Sequence, residues 1–181
     1  VRLVNAQKIP CNNGLGFTVA TQNPLYVRGD YNTTQDGIHF ATTMGSTTNG
    51  SSVPAALMAD AITILSTNWI DAKGTTTYTA RPAANMTINA AFMTGNVPST
   101  GTSAMTFSGG VHNLTRLLED WSTNVLVYNT SLACLFSSQM ATNQFRLPGN
   151  YYNPPTRNWA FDPNFYNPNK LPPGTPTYTL P

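Results

Sequence analysis

The stretch VPAALMADAITILSTNWID, residues 53–71, decides the fold because it fits two kinds of secondary structure. The β-branched run Ile62-Thr63-Ile64 favours a strand, since such side chains lose rotamer freedom in a helix and pack well on a pleated surface. Helical spacing of apolar residues, with polar residues between them, favours an amphipathic helix instead: Leu57, Met58, Ala61, Ile62, Leu65 and Trp69. Spacing alone favours the helix, so the neighbouring sequence has to decide.

Four neighbouring segments have the composition of short strands. Each contains Thr, Val or Ile and lies next to Gly, Asn or Ser: residues 16–21, 25–32, 87–95 and 124–136. Short β-prone runs joined by turns are typical of a sandwich, a barrel or a solenoid. We therefore interpret the central stretch as strand and predict a mainly all-β domain. No fixed repeat period is visible, so the spacing alone does not demonstrate a regular solenoid.

One short helix is predicted at residues 114–121, following the pair Gly109-Gly110. Asn113 is a suitable N-cap residue, and the residues after it alternate between an apolar face and a wet face at helical spacing. The apolar face comprises Leu114, Leu117, Leu118 and Trp121, and the wet face Arg116, Glu119 and Asp120.

The chain changes character near its C-terminal end. Residues 148–181 hold most of the 14 prolines, which excludes a regular helix or a central strand. The same residues are rich in Tyr, Trp and Phe, which carry large burial energies. We predict a β-rich core domain at residues 1–147 and, at residues 148–181, an extended segment packed on the core or between subunits.

The composition indicates a secreted or cell-surface protein. Charged residues make up only 9% of the chain, against roughly 25% in an average globular protein. Thr, Asn and Ser supply the polar surface instead. A net charge of +2 offers no basic stripe, so nucleic acid is not an expected partner. No apolar run is long enough to span a bilayer, and no signal-peptide pattern follows Val1, so we expect a mature product or a fragment.

The two cysteines, Cys11 and Cys134, lie far apart and outside any CxxC spacing. Two interpretations remain open at this point. They are a pair of buried thiols, or a disulfide that ties the N-terminal segment to the last strand of the core in an oxidising compartment.

A calcium site is one candidate for chemistry in this chain. Asp30, Asn32, Thr34 and Asp36 place oxygens at alternate positions, as at the start of a calcium-binding loop. The glycine and glutamate that an EF-hand requires later in its loop are missing, so that motif is excluded. A looser Ca²⁺ site competes with ordinary solvated turn residues as the explanation.

A pair of carboxylates, Asp60 and Asp71, is the candidate for general acid–base catalysis on a polysaccharide. The competing explanation is an outward polar residue on a strand for Asp60 and a turn residue for Asp71. The only histidines, His39 and His112, neighbour no motif serine or cysteine, and no GxSxG, HExxH, P-loop or GxGxxG sequence occurs. We therefore expect no enzymatic activity.

Seven segments, taken in order, resemble the C-terminal region of large bacterial surface proteins, some described as PilX-like or pilus-associated: NPLYVRGDYNT, PAALMADAITILSTNW, INAAFMTG, SGGVHNLTRLLEDW, SLACLF, PPTRNWAFD and LPPGTP. The resemblance covers residues 14–176. It implies a parallel β-helix or solenoid, with the predicted helix breaking its coils and the Pro-rich end sealing the final coil. It carries over no activity and no catalytic residues. A β-sandwich is the alternative fold.

Three functions follow as expectations. The leading one is a non-enzymatic structural protein of the bacterial exterior that forms or decorates a filament or pilus-like assembly, as a homo-oligomer or polymer joined through chain ends. The second is an adhesin that grips glycans with loops near Tyr31, Phe40 and Trp69. The third is a β-helix polysaccharide hydrolase or lyase using Asp60 and Asp71.

Overall fold

The computed structural model describes residues 1–11, 14–35, 38–39, 52–101, 106–143, 145 and 151–176. Within these ranges the chain is mainly β and its strands are short: β1 (Arg2–Val4), β2 (Phe17–Thr21), β3 (Leu25–Arg28), β4 (Thr34–Gln35), β5 (Ile38–His39), β6 (Ala55–Ala59), β7 (Ile62–Leu65), β8 (Met86–Asn89), β9 (Ala91–Thr94), β10 (Thr115–Leu117), β11 (Val125–Thr130), β12 (Leu132–Ala133) and β13 (Thr156–Phe161). Five 3₁₀ turns accompany them: Asp71–Lys73, Tyr78–Ala80, Gly110–Asn113, Pro163–Tyr166 and Pro168–Lys170.

Three parallel sheets contain all of these strands except the antiparallel pair β4–β5. Sheet I has the order β1-β3-β7-β10, sheet II the order β2-β6-β9-β12, and sheet III the order β8-β11-β13. Successive strands fall in different sheets: the chain passes from sheet II to sheet I to sheet III through β6-β7-β8 and again through β9-β10-β11. Parallel pairing argues against the sandwich alternative, because sandwiches are built from antiparallel strands.

The strand interpretation of residues 53–71 is confirmed. The stretch forms β6 and β7, which are central strands of sheets II and I. Leu57, Ile62 and Ile64 are completely buried in the core. Small residues complete this part of the interior, since Ala55 and Ala59 are buried in the same core. The apparent helical period arose because both faces of these strands are largely covered, so apolar residues occur on both.

The helix predicted at residues 114–121 is wrong. A 3₁₀ turn ends at Asn113, and residues Thr115–Leu117 then form β10, which pairs with β7. The buried Asn113 side chain bonds elsewhere: its Oδ1 accepts from the Tyr152 hydroxyl, and its Nδ2 donates to the carbonyl of Ser108 (2.8 Å). Glu119, expected on a wet face, is completely buried. Pairing with a neighbouring strand therefore outweighed the local helical spacing.

The C-terminal segment contributes to the same core. Residues Thr156–Phe161 form β13, an edge strand of sheet III, which agrees with the expectation that proline excludes a central strand here. Tyr152 is fully buried in the core. The chain then runs back to sheet II, where the carbonyl of Pro173 accepts a hydrogen bond from the Thr18 hydroxyl (2.6 Å).

A ladder of buried asparagines connects β11, β8 and the segment that follows β3. Asn32, Asn89 and Asn129 have no exposed surface. The Asn129 amide donates to Oδ1 of Asn89 (2.6 Å), and the Asn89 amide donates to the carbonyl of Asn32 (2.9 Å). The Asn32 amide in turn donates to the carbonyls of Val53 and Asn89, both at 2.8 Å. These bonds supply partners to buried polar groups that strand pairing alone would leave unsatisfied.

In the described part of the chain, no helix has the length and apolarity needed to cross a bilayer.

Candidate functional site

Two of the predicted calcium-loop residues, Asp30 and Asn32, accept hydrogen bonds from within the protein. Oδ1 of Asp30 accepts a hydrogen bond from the backbone N–H of Thr87 (2.8 Å). Asn32 belongs to the buried ladder, and its Oδ1 accepts from the N–H of Val53 (3.2 Å). Asp36 lies outside the described residues. Among the residues that the structure describes, no group of three or more His, Cys, Asp or Glu side chains could hold a metal ion.

Asp60 lies at the corner between β6 and β7 and holds a loop in place. Its carboxylate oxygens accept the backbone N–H groups of Gln139 and of Ala141, the latter at 2.8 Å. Burial alone would raise the pKa of Asp60, but backbone N–H groups of the loop outweigh it and keep that pKa below its usual value. An ionised, internally bonded carboxylate of this kind is a poor general acid at neutral pH.

Asp71 is exposed and paired with the N-terminal strand. Arg2 donates to both of its oxygens at 2.9 Å, and Nε1 of Trp69 donates at 2.7 Å. These hydrogen bonds, that of Arg2 foremost, lower the pKa of Asp71 to about 2. The structure therefore gives each predicted catalytic carboxylate its own internal partners. His112 lies in an exposed turn, and the His39 side chain lies outside what the structure describes.

Both cysteines are free thiols, with Cys11 half-buried and Cys134 exposed. The interpretation of two buried thiols is wrong, because Cys134 is exposed, and the disulfide stays a prediction that is not formed in this structure. Sγ of Cys134 contacts the carbonyl of Phe136 at 3.7 Å.

Two of the three aromatic residues expected to grip a glycan are inside the protein. Tyr31 is 1% exposed and Trp69 is 8% exposed, so neither can stack on a sugar, and Phe40 lies outside the described residues. Exposed rings occur near the C-terminal end instead. Phe161 is 45% exposed and Tyr166 is 78% exposed, and their ring centres are 4.9 Å apart.

A cleft of about 650 Å³ lies on the outer face of sheet II. We call it the methionine cleft, because three thioether side chains line it: Met58, Met93 and Met140. Met58 and Met93 are partners in the register of β6 and β9. The inward neighbours Leu57 and Phe92 alternate with them along the two strands.

A tightly seated loop, residues 136–141, forms one wall of this cleft. Besides the two hydrogen bonds to the Asp60 carboxylate, the Ser138 hydroxyl donates to the carbonyl of Asp60 (2.8 Å). The loop approaches the turn after β9 so closely that a Cβ atom at Gly95 would lie 2.7 Å from that carbonyl and 2.8 Å from the Phe136 ring. The loop is therefore fixed on both sides of Met140.

The two ends of the sheets differ in how their interior is closed. At one end the rings of Phe145, Tyr151 and Tyr152 stack, with centres 5.1 Å and 6.0 Å from Phe145. Trp159 packs on the buried Tyr128 at 5.3 Å. We call Phe145, Tyr151, Tyr152 and Trp159 the aromatic cap. At the other end, the core-facing Leu3, Phe17 and Val19 of β1 and β2 are only partly buried.

Outermost strands at both ends have open edges. Within the described residues, no strand pairs with the outer edge of β1 or β2, nor with that of β12 or β13. Apolar side chains are exposed near both sets of edges: Val1, Val4 and Leu15 at the first, and Leu135, Phe136 and Phe161 at the second.

Sequence reasoning missed the methionine cleft. Successive side chains of a strand point to opposite faces of the sheet. With residues 55–59 interpreted as a strand, Met58 would therefore have been placed on the outer face, because its neighbour Leu57 faces the core. The same period applied to residues 91–94 separates Met93 from Phe92. The position of Met140 depends on tertiary contacts of its loop and left no signal in the sequence.

No protein-family model, curated protein or solved structure matches this chain.

Proposed function

We propose that the chain is a non-enzymatic structural protein of the bacterial cell surface that forms or decorates a filament or pilus-like assembly. Copies join head to tail, with β1 and β2 of one copy against β12 and β13 of the next. The observation that carries the proposal is the pair of open, apolar strand edges at opposite ends of the sheets.

The proposal includes a finer description of the fold. The three parallel sheets wind as a β-solenoid, in which two coils, β6-β7-β8 and β9-β10-β11, each contribute one strand to sheet II, one to sheet I and one to sheet III. The repeated passage of the chain through the sheets in that order supports this arrangement. The ordered resemblance to PilX-like surface proteins points the same way.

The residues of the edge strands favour pairing with another copy and do not protect the edges against it. Natural proteins blunt exposed edges with charges, prolines or bulges. Neither β2 nor β12 contains a charged residue or a proline. The one charge on β1, that of Arg2, is paired with Asp71. Contacts between unlike ends generate open filaments wherever the rotation between successive copies does not close into a ring.

Light scattering of a charged edge variant tests the proposal. Val4 lies on β1 and is 49% exposed, so Val4→Lys places a charge at the contact without disturbing the core. We expect the mean mass of the wild-type protein to rise with concentration, and that of Val4→Lys to stay at the monomer value. Val111→Lys is the matched control, because Val111 is 57% exposed and distant in sequence from both edge pairs. A wild-type protein that stays monomeric at all concentrations overturns the proposal.

Glycan binding is a second candidate, favoured by the exposed rings of Phe161 and Tyr166. Aromatic faces at a polar surface suit neutral sugars, which stack on them through their C–H groups. A glycan array probed with the wild-type protein and with Tyr166→Ala tests this candidate. Binding that disappears in the variant supports it, and an array without binding excludes it.

A further inference from the structure

The methionine cleft concentrates sulfur ligands in one place. Of the chain's 6 methionines, Met58, Met93 and Met140 line this single cleft. Leu or Ile in place of Met would make the cleft equally apolar but would supply no sulfur ligand. Thioether sulfur is a soft ligand and selects Cu(I) among the metals available to proteins.

Strand pairing fixes the first two sulfur ligands next to each other. Met58 and Met93 are Cα partners in adjacent parallel strands, which lie about 4.8 Å apart. Partners in register project from the same face of a sheet, so both side chains enter the cleft side by side. Both are only partly buried, which leaves their sulfur atoms accessible from the cleft.

Hydrogen bonds to Asp60 fix the third ligand. Met140 is 60% exposed and lies between Gln139 and Ala141, whose N–H groups both bind the Asp60 carboxylate. All three methionines are thus carried by held backbone, as a preformed site requires. Phe136 lines the same cleft and supplies an apolar wall.

Charge in the cleft favours a monovalent soft cation over a hard divalent one. Asp60 is the one acidic residue that lines the cleft, and no basic residue is among the described residues lining it, so the lining suits a cation. Its oxygens already accept backbone hydrogen bonds, so they are not available as the oxygen ligands that Ca²⁺ or Mg²⁺ demand.

We propose that Met58, Met93 and Met140 bind one Cu(I) ion through their three thioether sulfurs, with Asp60 as the positioning residue for the loop that carries Met140. None of the three ligands lies on the edge strands β1, β2, β12 or β13, so the Met→Leu variants test the copper site and Val4→Lys tests the assembly proposal separately.

Cu(I) titration under anaerobic, reducing conditions, in competition with a chromophoric Cu(I) chelator, tests the site. The protein carries Cys11→Ser and Cys134→Ser, because free thiols also bind Cu(I). We expect one equivalent of Cu(I) per chain. Met58→Leu, Met93→Leu and Met140→Leu, which conserve side-chain volume, each weaken binding by at least about tenfold. Met86→Leu is the matched control, because Met86 is 3% exposed and belongs to the core, and it leaves the affinity unchanged.

Methionine ε-methyl NMR of the same protein identifies the ligands. Three of the 6 methionine resonances shift when Cu(I) is added, and none shifts with Ca²⁺. Asp60→Asn weakens binding less than loss of a ligand does, and the Met58 and Met93 resonances still respond. Absence of stoichiometric binding, or equal binding by the triple Met→Leu variant, overturns the proposal.

Discussion

At the scale of residues, buried polar side chains are the least expected feature of this protein. Asn32 has the spacing of a calcium ligand in the sequence, yet it lies in a buried ladder with Asn89 and Asn129. Tyr31 and Trp69, expected at a sugar-binding surface, pack inside. A residue's type shows which bonds it can make, but only the fold shows whether the protein itself already supplies the partner.

Removing the middle amide of the ladder should destabilise the protein. Asn89→Ala takes away the acceptor of the Asn129 amide and the donor to the Asn32 carbonyl. The expected cost is about 1–3 kcal/mol for each buried group left unsatisfied. Urea unfolding measures it, with Asn158→Ala as a control at a half-buried asparagine on β13. Equal stability of the two variants would show that the ladder contributes nothing.

Glu119 should make stability depend on pH. Burial raises its pKa, and the bonds from the Ser66 N–H and hydroxyl (both 2.6 Å) and the charges of Arg81 and Arg28 only partly oppose this. Because the folded-state pKa is above the unfolded-state one, the contribution of Glu119 is fully present at low pH and is lost as pH rises through the folded-state value. The difference in unfolding free energy between wild type and Glu119→Gln should therefore fall as the pH rises above the ordinary glutamate pKa of about 4.3. A difference that does not change with pH would contradict this account.

At the scale of elements, the sequence was informative where strands are central and misleading where a strand is short. The β-branched run in β7 correctly identified a strand that is covered on both faces. The three residues of β10 are held by pairing with β7, and they carry too little local signal to compete with the helical spacing around them. The exposure of Cys134 likewise depends on tertiary structure and left no signal in the sequence.

The loop at residues 136–141 should respond to a single methyl group. Gly95→Ala places a Cβ atom within 3.0 Å of the Asp60 carbonyl, the Phe136 ring and the Ser138 nitrogen. We expect faster hydrogen exchange at the Gln139 and Ala141 amides, whose bonds to Asp60 hold the loop. Gly74→Ala is the control, because its Cβ would come no closer than 3.1 Å to another atom. Unchanged exchange in Gly95→Ala would mean that the loop is not held by this close approach.

At the scale of the whole molecule, the account depends on what the ends of the parallel sheets do. Composition and short β-prone runs were enough to predict a mainly β chain. They were not enough to predict parallel pairing between distant strands, because register and sheet order depend on contacts far apart in sequence. The aromatic cap closes the interior at one end, while the outer edges of β1, β2, β12 and β13 find no strand partner among the described residues.

Negative-stain electron microscopy of the protein as isolated tests the central claim most directly. The account predicts regular filaments with an axial repeat comparable to the height of one domain, and their loss in Val4→Lys but not in Val111→Lys. Discrete, uniform particles the size of a single chain, in the wild-type protein at every concentration, would contradict it.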